Sequence, residues 1–215
     1  MLEKTRRSPE TGLARFGTAT IHEAQGRVGA VHASIRPIDP AMRVLGTAFT
    51  VRCQPGDNLA LHYALTKAGE GDVLVVDAAG CTESGPWGDV MSSAAIARGV
   101  AGLVIDGAVR DSQSIIEMGF PVFARGLCIK GTSKLHRGEI GVPVALGGVI
   151  VRPGDFVAGD RDGVVVVRHE DIDTVRLACE AREEKEEEFR AQLRSGKTTV
   201  DLLELGPLLQ SFGMN

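Results

Sequence analysis

The sequence predicts a protein of the α/β class, in which parallel strands alternate with helices. Two short apolar segments, 73–77 and 102–106, each end in an aspartate and are separated by a predicted helix at 86–98. A strand, a helix and a second strand within this length are typical of a βαβ unit, whose strands pair in parallel. The chain also holds 27 glycines among 215 residues but only one Trp and one Tyr. We therefore expect an aliphatic core and a backbone that turns often.

The other elements of the first half are predicted from periodicity and from turn residues. Apolar residues at helical spacing indicate helices, whereas runs of β-branched residues between Gly, Pro and Asp turns indicate strands. In chain order the predicted elements are a helix at 11–25, a strand at 44–52, a helix at 58–67, the strand at 73–77, the helix at 86–98, the strand at 102–106, a helix at 111–118 and an apolar segment at 120–123.

The pattern changes after residue 142, where short apolar segments are broken by Gly and Pro turns. Segments 144–146, 148–151, 156–158 and 164–167 predict a compact antiparallel or barrel-like region. No linker separates this region from the preceding chain. We therefore assign residues 1–168 to one α/β core domain.

Residues 169–215 are predicted to form a C-terminal helical extension that packs on a neighbouring subunit. A long charged helix is predicted at 169–196 and a short one at 199–215. The inward stripe of the long helix contains two charged positions, Arg182 and Glu186. Either the middle of this helix is solvated, or these two side chains meet a polar site on another subunit.

Charge and apolar content exclude several classes of protein. The net charge is −4 and no basic patch stands out, which argues against a nucleic-acid partner. No apolar stretch approaches the roughly 18 residues of a membrane span, and the first residues lack the apolar run of a signal peptide. The four cysteines are scattered and form no zinc-binding or redox pair. We expect a cytoplasmic protein with reduced thiols and no membrane partner.

The residues best suited to chemistry follow the two apolar strands. In open α/β sheets, ligands bind beyond the carboxyl ends of the strands, so the loop 77–89 and the segment 106–111 should face one another. Together they would offer Asp89, Arg110, Asp111 and the amides of a helix N-terminus. Carboxylates without Cys or His nearby suit Mg²⁺ or Mn²⁺, and Arg with free amides would bind a 2-oxo acid. The alternatives are a plain glycine-rich connection and an ordinary Arg–Asp ion pair at a helix start.

A spaced motif extends over these same residues. Asp89 is followed after 20 residues by Arg110-Asp111, and Gly85 precedes Asp89 by four positions. The flanking segments that agree with it are 97–111, 119–124 and 153–166. On this motif, and over about residues 15–210, the sequence resembles the metal-dependent pyruvate aldolases. These are the 4-hydroxy-4-methyl-2-oxoglutarate and 4-carboxy-4-hydroxy-2-oxoadipate aldolases, which are related to the RraA regulators of ribonuclease activity.

The resemblance implies an RraA-like swivelling β/β/α sandwich with a C-terminal helical extension, assembled as a homotrimer or homohexamer. It implies that Asp111 ligates Mg²⁺ or Mn²⁺ directly, while Asp89 holds the ion through water and supports the catalytic base. Arg110 would bind the substrate carbonyl and stabilise the enolate. The residues that would contact the substrate, through loop amides and the Arg110 side chain, are Gly85, Trp87, Gly88, Asp89, Val90 and Arg110.

The C-terminal helix would supply one more catalytic residue. The family pattern Arg-Glu-x-x-Glu-x-x-x-Arg is similar to residues 182–190 of this chain. The match points to Glu186 as a residue that enters the neighbouring subunit's site, with Glu187 as the alternative register. Glu186 is also one of the two charged positions on the inward stripe.

The function implied is a class II pyruvate aldolase, a carbon–carbon lyase of aromatic-compound catabolism that also decarboxylates oxaloacetate. Its substrate would be a small 2-oxo acid, either 4-carboxy-4-hydroxy-2-oxoadipate or 4-hydroxy-4-methyl-2-oxoglutarate. The alternative is an RraA-like regulator that binds a ribonuclease. Such regulators end soon after the last strand, so the residues beyond 168 favour the enzyme. A methyltransferase would need a glycine-rich nucleotide loop directly after a first strand, and the sequence offers no such fingerprint. The substrate, the metal and the choice between trimer and hexamer stay open.

Overall fold

The computed structural model describes residues 12–214, which form a central sheet of eight strands and a separate two-stranded hairpin. The strands are β1 Arg36–Pro37, β2 Val44–Arg52, β3 Asp72–Cys81, β4 Gly102–Val109, β5 Val122–Leu127, β6 Glu139–Ile140, β7 Val144–Leu146, β8 Val149–Val151, β9 Phe156–Asp160 and β10 Gly163–Val167. The helices are α1 Thr18–Ala24, α2 Leu59–Leu65, α3 Asp89–Ile96, α4 Ser112–Glu117, α5 Ile172–Arg194, α6 Thr199–Leu202 and α7 Gly206–Ser211. Strand order in the sheet is β1-β5-β4-β3-β2-β9-β10, and β6 pairs with β2.

Four parallel strands, β2 to β5, form the centre of the sheet because apolar layers cover both of its faces. Residues of α2, α3 and α4 pack on one face, and the β7–β8 hairpin packs on the other. This double covering explains why every residue of β4 is buried and why its sequence is almost continuously apolar. The unit β3–α3–β4 is the predicted βαβ unit, and the α/β class is confirmed.

Of the two alternatives predicted after residue 142, the antiparallel one is confirmed and the barrel-like one is wrong. The β7–β8 hairpin is a separate two-stranded sheet, whereas β9 and β10, which also pair with each other, join the central sheet in antiparallel orientation. The partner of β9 is β2, with Val44 opposite Gly159. Without β9, the long strand β2 would expose a row of unpaired backbone groups on this side, and pairing with β9 satisfies them.

The N-terminal helix is shorter than predicted. Residue 11 lies outside the described residues, and a single 3₁₀ turn, Leu13–Arg15, precedes α1. Helix α1 begins at Thr18 because the carboxylate of Asp160 accepts hydrogen bonds from its backbone N–H and its hydroxyl, at 2.9 and 2.7 Å. The start of α1 is thus fixed by the turn between β9 and β10.

The C-terminal extension is a long helix followed by two short ones. Helix α5 follows a 3₁₀ turn, His169–Asp171, and buries Ile172, Val175 and Cys179. Beyond Cys179 every residue of the helix is at least partly exposed. The single helix predicted at 199–215 is instead α6 and α7, and residue 215 lies outside the described part. The domain boundary at residue 168 stays a prediction. No helix among the described residues combines the length and the apolar character needed to cross a bilayer.

Candidate functional site

The two loops at the carboxyl ends of β3 and β4 meet, as the order of parallel strands predicts. The backbone N–H of Arg110 donates a hydrogen bond to the carbonyl of Trp87 at 2.9 Å. The Oδ2 atom of Asp111 lies 3.4 Å from the backbone nitrogen of Asp89 and 3.4 Å from Nε of Arg110. The structure therefore brings Asp89, Arg110 and Asp111 together, although 20 residues separate the first from the other two.

Two glycines permit this contact between the loops. A Cβ added to Gly88 would lie 2.3 Å from Oδ2 of Asp111, and one added to Gly85 would lie 2.4 Å from the carbonyl oxygen of Cys128. Real Cβ atoms do not approach oxygen so closely. Glycine at these positions thus lets the loop pack against Arg110 and Asp111.

Helix α3 begins three residues later than predicted, at Asp89 instead of Pro86. Gly88 is the N-cap residue and has extended backbone angles, φ −148° and ψ −169°. Proline at a first helical turn is a common pattern, but here the close packing of 85–88 on Arg110 keeps Pro86 outside the helix. Asp89 consequently occupies the first turn, where a carboxylate is favoured, and accepts a hydrogen bond from the N–H of Val90 at 2.7 Å.

The loop amides are not equally available to a ligand. The N–H of Gly85 donates to the carbonyl of Lys130 at 2.9 Å, and the N–H of Val90 is bonded to Asp89. Within residues 12–214, the N–H groups of Trp87 and Gly88 donate no hydrogen bond. The contact from Asp89 N–H to Asp111, at 3.4 Å, is a long one. The N–H groups of Trp87, Gly88 and Asp89 therefore keep donor capacity that an anion could use.

The side chain of Trp87 belongs to the core. It is fully buried, stacks on Phe120 with ring centroids 6.0 Å apart, and donates from Nε1 to Oγ of Ser92 at 2.8 Å. The prediction that Trp87 contacts the substrate is therefore limited to its backbone, because the indole has no access to a ligand. A tryptophan beside a polar loop is as compatible with an anchor in the core as with a ligand contact.

Arg110 and Asp111 remain accessible, with 46% and 38% of their side chains exposed. Asp111 adopts left-handed backbone angles, φ 56° and ψ 32°, as the N-cap of α4. A non-glycine residue in this region is strained, and such strain is concentrated at functional sites. The geometry turns the chain sharply between β4 and α4 and leaves the Asp111 carboxylate beside the start of α3.

The carboxylates present suit a hydrated hard cation. No group of three or more His, Cys, Asp or Glu residues that could hold a metal occurs in the described chain. Mg²⁺, however, keeps several of its waters and takes only one or two carboxylates from a protein. The carboxylates of Asp111 and Asp89 match such an ion in number and kind, whereas they would not suffice for a metal that needs a complete shell of protein ligands.

Glu186 does not meet this site within one chain. Its carboxylate pairs with Nε of Arg182 at 2.8 Å and with Nη2 of Arg190 at 3.1 Å, and all three residues lie on α5. Glu187 pairs with Arg190 and Arg194 and is more exposed, at 60% against 34% for Glu186. The main contacts of α5 are with α1 and the two 3₁₀ turns, at the side of the sheet where β9 and β10 lie.

One part of the site was missed by the sequence analysis. Residues 128–137, which we call the 128–137 segment, follow β5 and reach the loop 85–88 through the bond from Gly85 to Lys130. The segment is held in place by Asp57, which precedes α2. The Pro-Gly-Asp turn at 55–57 was visible in the sequence, but its partner 76 residues away was not.

An α/β sheet with an aspartate–arginine–aspartate cluster at the carboxyl ends of its parallel strands defines a class of protein with a polar ligand site. Comparison with known proteins then identifies the family. Residues 18–166 match the RraA-like family, described as Aldolase/RraA. A relative from Halalkalibacterium halodurans, named provisionally as a 4-hydroxy-4-methyl-2-oxoglutarate aldolase, is 39% identical over 73% of this chain and 75% of its own. The chain belongs to the RraA-like family, which includes aldolases and RraA proteins, and the predicted resemblance is confirmed.

Two solved structures share the fold. RraAS2 of Streptomyces coelicolor, described as an unusual member of the RNase ES inhibitor RraA family, matches with a TM-score of 0.77 and 31% identity over 87% of this chain and 100% of its own. The RNA-processing inhibitor RraA from Thermus thermophilis matches with a TM-score of 0.66 and 29% identity over 71% of this chain and 93% of its own. RraAS2 is described within the inhibitor family and yet matches more of this chain than the Thermus protein does. The length of the chain alone therefore does not distinguish an aldolase from an RraA-like regulator.

Proposed function

We propose that this protein is a divalent-metal-dependent class II pyruvate aldolase. It would cleave 4-carboxy-4-hydroxy-2-oxoadipate or 4-hydroxy-4-methyl-2-oxoglutarate to pyruvate and a second keto acid, and would also decarboxylate oxaloacetate. The observation that carries the proposal is the accessible guanidinium of Arg110 beside the Asp111 carboxylate, facing a loop with unbonded amides. The name of the Halalkalibacterium relative points in the same direction.

The pyruvyl end of the substrate would lie between the loop and Arg110. The N–H groups of Trp87, Gly88 and Asp89 would donate to its carboxylate, at the positive end of the α3 dipole. Arg110 would donate to the 2-oxo oxygen, where negative charge develops as the enolate forms. Mg²⁺ or Mn²⁺, held by Asp111 directly and by Asp89 through water, would supply Lewis-acid polarisation of that oxygen.

Cleavage requires one proton to leave and one to arrive. A water molecule held by the Asp89 carboxylate would take the proton of the C4 hydroxyl, so that C4 becomes a carbonyl as the C3–C4 bond breaks. The electron pair of that bond would pass to the pyruvyl unit as the enolate, which Arg110 would stabilise. The water that took the C4 hydroxyl proton would return it to C3, which gives pyruvate and restores the base. Oxaloacetate yields the same enolate when its C3–C4 bond breaks and CO₂ leaves.

The C-terminal extension would complete the site of a neighbouring subunit. Cys179 is the last buried residue of the inward stripe, and Phe189 and Leu193 continue that stripe with part of their surface exposed. A partner subunit would cover these apolar side chains in a homotrimer or homohexamer. The Glu186 carboxylate lies on the same stripe and would enter the partner's site as a catalytic residue.

The second candidate function is an RraA-like regulator that binds a ribonuclease. It is favoured by the two solved relatives, whose descriptions name RNA processing and RNase ES. A regulator would act through its surface, so it would not need the arrangement of Arg110 against Asp89 and Asp111.

The test is pyruvate release from oxaloacetate and from the two hydroxy-oxo acids, with and without a chelator. We expect activity that EDTA abolishes and Mg²⁺ or Mn²⁺ restores. Arg110→Ala should lower kcat/KM at least ~100-fold, because a donor to the developing charge is lost. Arg152→Ala is the matched control, because Arg152 is exposed and only weakly paired, with Glu170 at 3.9 Å. No turnover, turnover that resists the chelator, or full activity of Arg110→Ala would overturn the proposal.

A further inference from the structure

Asp57 is a buried carboxylate outside the residues proposed to touch the substrate. Only 2% of its side chain is exposed, and it accepts four hydrogen bonds. Its Oδ2 accepts from Oγ of Ser133 at 2.6 Å and from the N–H groups of Leu135 and His136 at 2.6 and 3.3 Å. Its Oδ1 accepts from the N–H of Leu59, in the first turn of α2, at 2.9 Å.

The backbone beside Asp57 strengthens the same connection. The N–H of Asn58 donates to the carbonyl of Ser133 at 3.1 Å, and the N–H of Ser133 donates to the carbonyl of Gly56 at 2.9 Å. Apart from this bridge at Ser133, the 128–137 segment has no regular secondary structure. Its side chains at Ile129 and Leu135 are almost fully exposed, so they contribute little packing. The contacts with 56–58 therefore hold the middle of the segment, while its first residues are held by the bond from the Cys128 N–H to the Val109 carbonyl at 2.9 Å and by the Lys130–Glu83 pair at 2.7 Å.

The 128–137 segment in turn touches the candidate site. The carbonyl of Lys130 accepts from Gly85, and a Cβ added to Gly131 would lie 3.7 Å from Nη1 of Arg110. Asn58 reaches the same loop directly, because its Nδ2 donates to the carbonyl of Pro86 at 2.9 Å. The turn at 56–58 thus contacts the loop 85–88 directly through Asn58, and it is also connected to that loop through the 128–137 segment.

We propose that Asp57 is a positioning residue, which fixes the 128–137 segment and through it the loop 85–88 beside Arg110. The inference rests on the proposed function only for its kinetic readout. Asp57 itself touches no reacting atom, since its partners are α2 and the 128–137 segment.

The carboxylate form is what this position requires. Burial alone would raise the pKa of Asp57, but the hydrogen bonds from Ser133, Leu135, Leu59 and His136 outweigh it and hold the pKa well below its usual range. The group is therefore ionised at neutral pH and acts only as an acceptor. Asparagine has the same shape but would turn an amino group toward donors on one side, so it would lose bonds that aspartate makes.

The experiment compares Asp57→Asn with Asp155→Asn. Asp155 is equally buried and accepts from the N–H of Arg152 at 2.8 Å and from Arg168 at 2.7 Å, near the start of β9. Both variants should unfold at a lower temperature than the wild type. Well below those temperatures, we expect Asp57→Asn to lower kcat/KM for oxaloacetate at least tenfold, with an increase in KM as well as a decrease in kcat. Asp155→Asn should stay within twofold of the wild type.

Hydrogen–deuterium exchange gives a readout that needs no turnover. Peptides covering 83–90 and 128–137 should exchange faster in Asp57→Asn and at the wild-type rate in Asp155→Asn. If Asp57→Asn does not fold, Ser133→Ala removes a single donor to Asp57 and should show both effects in weaker form.

The outcomes separate this inference from the proposed function. A wild type without turnover overturns the proposed function, and the exchange rates then decide the role of Asp57. Unchanged exchange at 83–90 in Asp57→Asn overturns the positioning role. Loss of kcat/KM that is equal in both variants overturns it as well, because it would follow from lowered stability alone.

Discussion

Replacement of Gly88 by alanine should disable the candidate site and leave the fold intact. The N-cap angles of Gly88, φ −148° and ψ −169°, are open to any residue, so alanine causes no backbone strain. Its methyl group would lie 2.3 Å from Oδ2 of Asp111 and 3.2 Å from Nε of Arg110. Both contacts are with the ends of side chains, and both residues belong to the proposed site.

The magnitude follows from the displacement that the methyl group demands. The Asp111 carboxylate must retreat by about 1 Å to reach an ordinary contact of 3.4 Å. A shift of ~1 Å in a reacting group can lower activity ~100-fold, or about 2.7 kcal/mol in the barrier. Stability should change little. Alanine is a poorer N-cap than glycine, which lowers the free energy of unfolding by a fraction of a kcal/mol. Alanine also restricts the unfolded chain, which raises the free energy of unfolding by roughly 0.4–1 kcal/mol.

The assay is kcat/KM for pyruvate release, measured together with the unfolding temperature. Gly17→Ala is the matched control because Gly17 is the N-cap of α1 and its added Cβ would meet only Asp160, at 3.9 Å. We expect the control to keep full activity. Activity of Gly88→Ala within twofold of the wild type would refute the reasoning, as would a fall in unfolding temperature large enough to explain the loss.

Two further predictions concern charged residues. Glu186→Ala should lower the rate of aldol cleavage at least ~tenfold, as expected for a catalytic carboxylate, while Glu187→Ala should leave that rate unchanged. Steady-state kinetics of the two variants test this prediction, and the opposite result would assign the role to Glu187. Burial alone would raise the pKa of Asp106, but the hydrogen bonds from Arg125 and from the N–H of Gly147 outweigh burial. The pKa in the folded protein therefore lies below the unfolded value of about 3.9. A lowered pKa means that the ionised Asp106 stabilises the folded protein. This contribution to the free energy of unfolding is complete above the unfolded pKa and is lost as the pH falls through the folded pKa. Urea denaturation across pH should show a shallower acid decline for Asp106→Asn than for the wild type, and equal slopes would contradict the assignment.

The strands were predictable because local pattern and burial agree in them. Segment 73–77 was identified from its apolar run, yet β3 extends to Cys81. The predicted strands end at Asp77 and Asp106, where each apolar run meets a charged residue. Asp106 stays inside β4 because Arg125, on the neighbouring strand β5, pairs with it. A charge partner on another strand leaves no trace in a local window.

The choice between an antiparallel and a barrel-like region after residue 142 was open in the sequence for the same reason. Short strands with Gly and Pro turns are locally alike whether they pair with one another or with a distant strand. Strands β9 and β10 join the central sheet because β9 pairs with the side of β2 that no other long strand occupies. Strand β2 lies about 100 residues earlier in the chain, so no local pattern could reveal this pairing. A pattern of turns reports where strands end but not which strands they pair with.

In the candidate site, the motif residues were predictable and their support was not. Asp89 and Arg110 could be placed together because both follow parallel strands at the same edge of a sheet. Asp57 could not be placed, since its partners Ser133 and Leu135 belong to a segment without periodicity. Its role depends on a hydrogen-bond network that only the tertiary structure assembles.

Trp87 holds the backbone of the loop 85–88 in place, so that its N–H groups are oriented before a ligand binds. Its indole is fixed by Phe120 and by Ser92, and the same Ser92 hydroxyl donates to the carbonyl of Gly88 at 3.1 Å. Its own carbonyl accepts from Arg110. The backbone between these bonds is therefore fixed both from the core and from the side of Arg110 before any ligand binds. Donors that are already oriented cost little ordering when a ligand binds, so the buried tryptophan supports the candidate site by its position in the core.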